Sequence, residues 1–187
     1  MVHDSQPRRL FLQKGFVGFC AAIFATLPKI SLARSFTPKG IVARENEGIH
    51  ILTGRRKIPI TIKTSKAREG VDNISFCVED ISAGRKMRVH KHLNNDELIF
   101  IHKGAGKLTL DEDTIDVNTG DVVFVPHDTW HALDNTGSEN LLMMFQYSPA
   151  GFEEYFIEQG TQAGMPEKQR TDEEYWLTKQ KYGMVYK

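Results

Sequence analysis

Three histidines and one glutamate have the residue types and the spacing of a metal site. His90 and His92 lie two residues apart in the stretch HKHLNNDELIFIHKG, Glu97 follows five residues after His92, and His131 lies further along the chain. Imidazole nitrogens and a carboxylate oxygen suit one divalent transition metal ion, namely Fe, Mn, Ni, Cu or Zn. An ion held in this way, with coordination positions left open, could polarise a substrate, activate a bound water or bind dioxygen.

Alternation with a period of two predicts the strands that would bring these side chains together. Residues i and i+2 of a strand point to the same face, so His90 and His92 face together. The polar stretch 93–96 predicts a turn, after which Glu97 opens a strand that we expect to pair antiparallel with the first. His131 lies on a later strand and could supply a fourth ligand.

The rest of the chain is dominated by short alternating stretches separated by glycines or Asn/Asp clusters, which indicate an all-β sandwich or barrel. The first of these stretches are Ile49–Thr53, Ile58–Thr64 and NISFCVED. The pattern changes after Tyr147, where SPAGFEEYFIEQG and TDEEYWLTKQKYG predict two short C-terminal helices. Gly160 is expected to end the first helix, and a capping box of Thr171 and Glu174 to begin the second. We interpret the aromatic residues of these helices as packing residues.

Two spaced motifs resemble the signature of the cupin superfamily. The first, GRKMRVHKHLNNDELIFIHKG, runs from Gly84 to Gly104, and the second, GDVVFVPHDTWHALDN, runs from Gly120 to Asn135. Asp128 stands where the pattern usually has a glycine that serves a turn. Aspartate tolerates a positive φ better than most residues, so only the local loop shape is affected.

The resemblance extends to small single-domain cupins related to quercetin dioxygenase, and it implies a double-stranded β-helix, or jelly roll, with the metal inside. It implies that His90, His92, Glu97 and His131 are the metal ligands, and that Glu97 is also the catalytic base. The expected function is a metal-dependent dioxygenase that acts on a small organic molecule. A non-catalytic metal or small-ligand binding protein, and a metal-dependent isomerase or lyase, remain as alternatives.

The other histidines of interest are interpreted as structural or solvated. His102 lies five residues after Glu97, and this odd spacing points it outward from a regular strand. His127 lies in a turn, and His50 lies on a strand without an acidic partner nearby. Three apolar residues that share strand parity with the ligands are expected to line the pocket: Ile99, Ile101 and Leu133.

The first 33 residues are predicted to be an export signal. Arg8 and Arg9 precede an apolar run, residues 15–27, which is too short for a typical membrane span, and small residues predict cleavage after Ala33. The paired arginines followed by Leu-Phe-Leu resemble a twin-arginine signal, with the general secretory route as the alternative. We therefore expect a periplasmic or secreted protein without a stable membrane anchor.

Composition narrows the class of protein and its partners. The chain has 187 residues, a formal net charge of zero and 40% hydrophobic residues, which suits one soluble globular domain. The absence of a long basic stretch argues against nucleic acid as a partner, and a small-molecule substrate or ligand is expected instead. Cleavage of the signal would leave Cys77 as the only cysteine, so no internal disulfide is expected.

Four segments are expected along the chain. They are a signal peptide (1–33), a leader arm (34–48), a cupin β-barrel (49–148) and a C-terminal helical segment (149–187). The region from Ile49 to Thr64 offers a strand edge that could pair with other chains and aggregate if left exposed. We expect a homodimer to form there.

Overall fold

The computed structural model describes residues 40–55 and 57–187. The predicted export signal, with Arg8 and Arg9, lies outside the described residues. Residues 40–48 have no regular secondary structure. No helix within the described part of the chain is long and apolar enough to span a membrane.

Short strands make up most of the described chain. In order they are β1 (Ile49–Thr53), β2 (Ile58–Thr64), β3 (Ser75–Ile81), β4 (His90–His92), β5 (Asp96–Lys103), β6 (Ala105–Leu110), β7 (Asp113–Asn118), β8 (Val122–Val125), β9 (His131–Asp134), β10 (Leu141–Ser148), β11 (Thr161–Gln162) and β12 (Met184–Tyr186). The helices are α1 (Lys66–Glu69), α2 (Glu153–Gln159) and α3 (Asp172–Tyr182).

The strands form two antiparallel sheets. One has seven strands in the order β11-β1-β2-β3-β10-β5-β8, and the other has five in the order β12-β4-β9-β6-β7. Buried apolar side chains from both sheets form a common core, in which Phe145 comes from the larger sheet and Leu108 and Leu133 from the smaller. The prediction of an all-β chain with two short C-terminal helices is confirmed.

Alternation along β10 shows how the sequence builds the inner face of the larger sheet. Leu141, Met143, Phe145 and Tyr147 are buried, while the residues between them are only partly covered. Burying an apolar side chain of this size stabilises the fold by about 1.5–3 kcal/mol. The period-2 pattern therefore fixes which side chains of β10 reach the interior.

The predicted pairing of the Glu97 strand with the His90 strand is wrong. β4 pairs with β9 and β12 in the smaller sheet, whereas β5 pairs with β10 and β8 in the larger one. The turn between them carries the chain from one sheet to the other, and the Asn95 side chain donates a hydrogen bond of 2.7 Å to the carbonyl of Pro149. Both strands face the same interior, so their inward side chains still meet.

The C-terminal segment contains the two predicted helices and two strands that were not predicted. Thr171 and Glu174 form the expected capping box at the start of α3, and Gly160 follows the last residue of α2. β11 pairs with β1, and β12 pairs with β4, where Tyr186 lies opposite His90. The C-terminal strand is therefore a direct neighbour of the strand that carries two of the histidines.

Candidate metal centre

The four predicted ligand side chains lie together between the two sheets. β4 supplies His90 and His92, β5 supplies Glu97 and β9 supplies His131, whose backbone lies directly opposite that of His90. One possible ligand atom from each residue lies within 4.8 Å of the others. All four side chains are buried, and the exposed fraction of His92, Glu97 and His131 is only 2–3%.

Backbone carbonyls fix the orientation of two of the imidazoles. Nδ1 of His90 lies 2.9 Å from the carbonyl oxygen of Arg88, and Nδ1 of His131 lies 3.0 Å from that of Thr129. A carbonyl oxygen can only accept, so each Nδ1 carries the hydrogen and donates it. In the neutral ring this leaves a lone pair on Nε2, which is the form in which histidine binds a metal.

The Nε2 atoms of two histidines approach the same carboxylate oxygen. Oε2 of Glu97 lies 3.0 Å from Nε2 of His131 and 3.2 Å from Nε2 of His92. A nitrogen lone pair and a carboxylate oxygen both carry negative potential, so a proton or a cation must lie between them. Two atoms that bind one ion at about 2.1 Å are about 3 Å apart when they subtend a right angle. The observed spacing therefore fits a shared metal ion.

His92 gives an independent test of this fit. Both of its ring nitrogens are buried and have no hydrogen-bond partner among the described residues. The ring is held between aromatic neighbours, with centroid distances of 4.1 Å to Phe152 and 5.1 Å to Tyr147. Leaving a buried polar atom unpaired costs about 1–3 kcal/mol. A metal ion bound at Nε2 would remove that cost for one of the two atoms.

Burial and the neighbouring charges set the protonation of the cluster. Burial raises the pKa of Glu97, but the close approach of the His131 and His92 imidazoles outweighs it and holds that pKa below its ordinary range. Burial, with His131 and His92 close by, lowers the pKa of His90 to about 3. Burial also lowers the pKa of His131, but its bond to Glu97 outweighs this and raises it. At neutral pH the cluster thus presents an ionised carboxylate and a neutral His90, which favours cation binding.

A cavity of about 720 Å³ opens beside the cluster. His90, Glu97 and His131 line it together with apolar side chains that include Ile99 and Phe145. The prediction for Ile99 is confirmed. Those for Ile101 and Leu133 are wrong in part, because both are buried in the core but do not border the cavity. Strand parity identifies an inward side chain but does not decide whether it meets the cavity or a neighbouring side chain.

The remaining predictions about histidines and turns agree with the structure. His50, His102 and His127 are exposed and lie outside the cluster. Nδ1 of His127 lies 2.8 Å from a carboxylate oxygen of Asp96. Asp128 has a φ of 62°, as expected for the turn position at which the motif usually has glycine.

Glu79 lines the cavity, although no motif in the sequence marks it as a site residue. It lies on β3, lines the cavity and is 5% exposed. Alternation along β3 puts Glu79 on the same face of the strand as Ser75 and Cys77. The opposite face, with Phe76 and Val78, is the more apolar in sequence but points outward. Apolar content therefore gave no sign that the Glu79 face is the inner one.

Comparisons with known proteins agree with this architecture. Residues 77–147 match the family model described as Cupin domain. The chain is 32% identical over 75 residues to an uncharacterized protein from Methanocaldococcus jannaschii, a match that covers 40% of this chain and 60% of that protein. It therefore spans less than two thirds of that relative. The central part of the chain is therefore similar to a cupin domain.

A similar solved structure shows the fold. A predicted oxalate decarboxylase from Thermotoga maritima superposes with a TM-score of 0.52 at 21% identity, covering 58% of this chain and 99% of that chain. KdgF from Halomonas sp. gives a TM-score of 0.46 at 18% identity, covering 52% of this chain and 84% of that chain. The likeness to the Thermotoga maritima structure and the presence of two antiparallel sheets together confirm the predicted double-stranded β-helix.

Proposed function

We propose that this chain is a metal-dependent enzyme, a dioxygenase that acts on a small organic molecule bound in the cavity. The main support is the buried cluster of three imidazoles and one carboxylate at the wall of a cavity of about 720 Å³. Pockets of this size with apolar walls and a few convergent polar groups are typical of small-molecule sites.

The four clustered side chains would hold one divalent ion, with His90 and His131 oriented by their backbone hydrogen bonds. When bound, the ion supplies Lewis-acid chemistry and a position for dioxygen. Glu97 is the residue that we propose to accept a proton from the substrate. In the metal-free cluster the neighbouring imidazoles hold the pKa of Glu97 below its ordinary range, so an ionised carboxylate is present at neutral pH to accept that proton.

The aromatic side chains around the cluster would keep water away from the reacting centre. Phe152 and Tyr147 pack against the His92 ring, and both are at most 2% exposed. A low local dielectric strengthens the interaction between a charged ligand and an ion. In the proposed reaction, Phe152 and Tyr147 therefore hold the His92 ring in position and exclude water from the reacting centre.

The proposal can be tested by loading the purified protein with each of Fe(II), Mn(II), Ni(II), Cu(II) and Zn(II). Elemental analysis would give the bound metal, and an oxygen electrode would follow dioxygen consumption with a panel of phenols, diketones and organic acids. We expect substrate-dependent dioxygen uptake that a chelator abolishes. Tight metal retention without turnover across the panel would favour a binding protein, and turnover without dioxygen uptake would favour an isomerase or lyase.

Export and assembly also stand as proposals. Export is supported by the paired arginines, the apolar run and the small residues before position 34. A homodimer through the Ile49–Thr64 region is supported by the position of β1 and β2 towards one end of the larger sheet, where the outer neighbour of β1 is the two-residue strand β11.

A further inference from the structure

We propose that Glu79 and Arg85 form a second binding subsite, here called the distal subsite, at the end of the cavity far from the metal cluster. It takes the carboxylate of a small organic acid whose other end reacts at the metal. This inference rests on the proposed function, because it names the class of substrate that the same cavity would accept.

The inner face of the larger sheet carries successive rows of side chains, which the strand registers define. Tyr147 lies opposite Glu97 in the first row, and Phe145 lies opposite Ile99 in the second. Met143 lies opposite Glu79 in the third. The cavity is therefore bordered by a metal-binding row, then an apolar row, and then a row that contains a second carboxyl group.

The registers also give the separation of the two carboxyl residues. Glu97 and Glu79 lie on either side of β10, two strand spacings apart, which is about 10 Å. Their partners Tyr147 and Met143 are four residues apart along β10, which adds about 13 Å in the perpendicular direction. The two backbones are thus about 16 Å apart, so Glu79 belongs to the opposite end of the cavity from the metal cluster.

The surroundings of Glu79 make it an unusual wall residue. Its cross-strand neighbours are Ile60 and Met143, both of which also line the cavity. A buried carboxyl group among apolar side chains is costly unless it is neutral or paired. Arg85, which is half-buried and lines the same cavity, brings a positive charge that acts on Glu79.

The charge state favours an anionic ligand. Burial raises the pKa of Glu79 to about 8, with a further contribution from the charge of Glu97, and Arg85 opposes the rise. Near pH 7 the distal subsite thus presents the O–H group of a neutral acid and, in the lining of the same cavity, a guanidinium. Both groups can donate hydrogen bonds and the guanidinium carries a positive charge, which matches a carboxylate.

The apolar row between the two ends defines the rest of the ligand. Phe145 and Ile99 line the cavity between the metal cluster and the distal subsite. A ligand that reaches both ends therefore has an apolar middle, preferably a ring. A molecule with only one polar end would leave either the metal or the distal subsite without a partner.

The test compares two probes of matched shape, para-hydroxyphenylpropionate and its neutral primary amide. Calorimetry would measure the dissociation constant of each probe for the wild-type protein, both loaded with Zn(II) and freed of metal with a chelator. We expect the acid to bind at least about tenfold more tightly than the amide in both states. Equal affinities, or a preference found only in the Zn(II)-loaded state, would overturn the distal subsite, since the second result places the carboxylate on the metal.

Variants separate the role of each side chain. Arg85→Leu should abolish the preference for the acid, whereas Arg85→Lys should retain part of it because the charge is kept. Glu79→Gln should retain the preference because its amide still donates, and Glu79→Leu should weaken it. Arg68→Leu, which removes an exposed cation paired with Glu69 outside the cavity, is the matched control and should change nothing.

The outcomes distinguish this inference from the proposed function. Preference for the acid that survives Arg85→Leu in a folded protein, as judged by near-ultraviolet circular dichroism, would refute the distal subsite. Arg85→Gln, which also removes the charge, serves the same comparison if Arg85→Leu does not fold. Failure to bind Zn(II) would instead refute the proposed metal centre, and elemental analysis of the same samples reports this independently.

Discussion

Nε2 of His131 lies 3.0 Å from Oε2 of Glu97, with both side chains buried between the two sheets. The Nδ1 hydrogen of His131 is already donated to the carbonyl of Thr129. The short approach therefore needs a further positive charge, either a second proton on His131 or a metal ion. This relationship connects the protonation of the cluster with its capacity to bind metal.

Acid should destabilise the metal-free protein through His90. The ordinary pKa of histidine is 6.5, and burial lowers that of His90 to about 3. A lowered histidine pKa contributes stability that is present above pH 6.5 and is lost as the pH falls towards 3. We expect the free energy of unfolding to fall by up to a few kcal/mol across this window, as measured by urea titration at each pH.

Glu97 should add to this loss at lower pH. Its pKa is held below the ordinary value of 4.5, so its contribution is present above that value and disappears as the pH falls through the lowered pKa. In His90→Phe the loss between pH 6.5 and 4.5 should shrink, while the loss below 4.5 persists. His102→Phe is the control, because His102 is exposed and outside the cluster. If the free energy of unfolding of His90→Phe fell between pH 6.5 and 4.5 by as much as that of the wild type, His90 would not be the source of the loss.

Phe145→Ala should destabilise the protein by about 3–5 kcal/mol, because it opens a space in the core beneath the cavity. Phe145 is 1% exposed and its ring contacts Tyr147 and Phe156. Phe124→Ala is the matched control, since Phe124 is 57% exposed and should change stability by less than about 0.5 kcal/mol. Chemical denaturation of both variants measures the difference, and equal effects would show that the packing of Phe145 is not as described.

Export can be tested at the paired arginines. Replacing Arg8 and Arg9 by lysine keeps the charge but removes the twin-arginine pair, so secretion should stop if that route is used. Fractionation of cells that express the full chain measures the outcome. Unchanged secretion of the double-lysine variant would instead support the general secretory route.

Strand parity predicted much of the site from sequence alone. It placed His90, His92 and Glu97 inward and His102 outward, because a side-chain period of two is a property of any strand. It could not predict that β4 and β5 belong to different sheets. A short polar turn can close a hairpin or cross between sheets, and the choice depends on the partners β9 and β10, which lie far along the chain.

Other features depend on contacts that no local pattern contains. β12 is three residues long, too short for a recognisable alternation, and it is a strand because β4 lies beside it. Glu79 is buried on the less apolar face of β3 because the more apolar face turns away from the smaller sheet. In both cases the position is decided by residues distant in sequence.

The most direct test of the metal centre is the metal content of His92→Ala beside that of His102→Ala, measured by elemental analysis of the purified proteins. His92 has buried ring nitrogens without a hydrogen-bond partner among the described residues, whereas His102 is exposed on the outer side of β5. We predict that His92→Ala lowers bound metal several-fold and that His102→Ala leaves it unchanged. Equal metal content in the wild type and in His92→Ala would contradict the assignment of His90, His92, Glu97 and His131 as metal ligands.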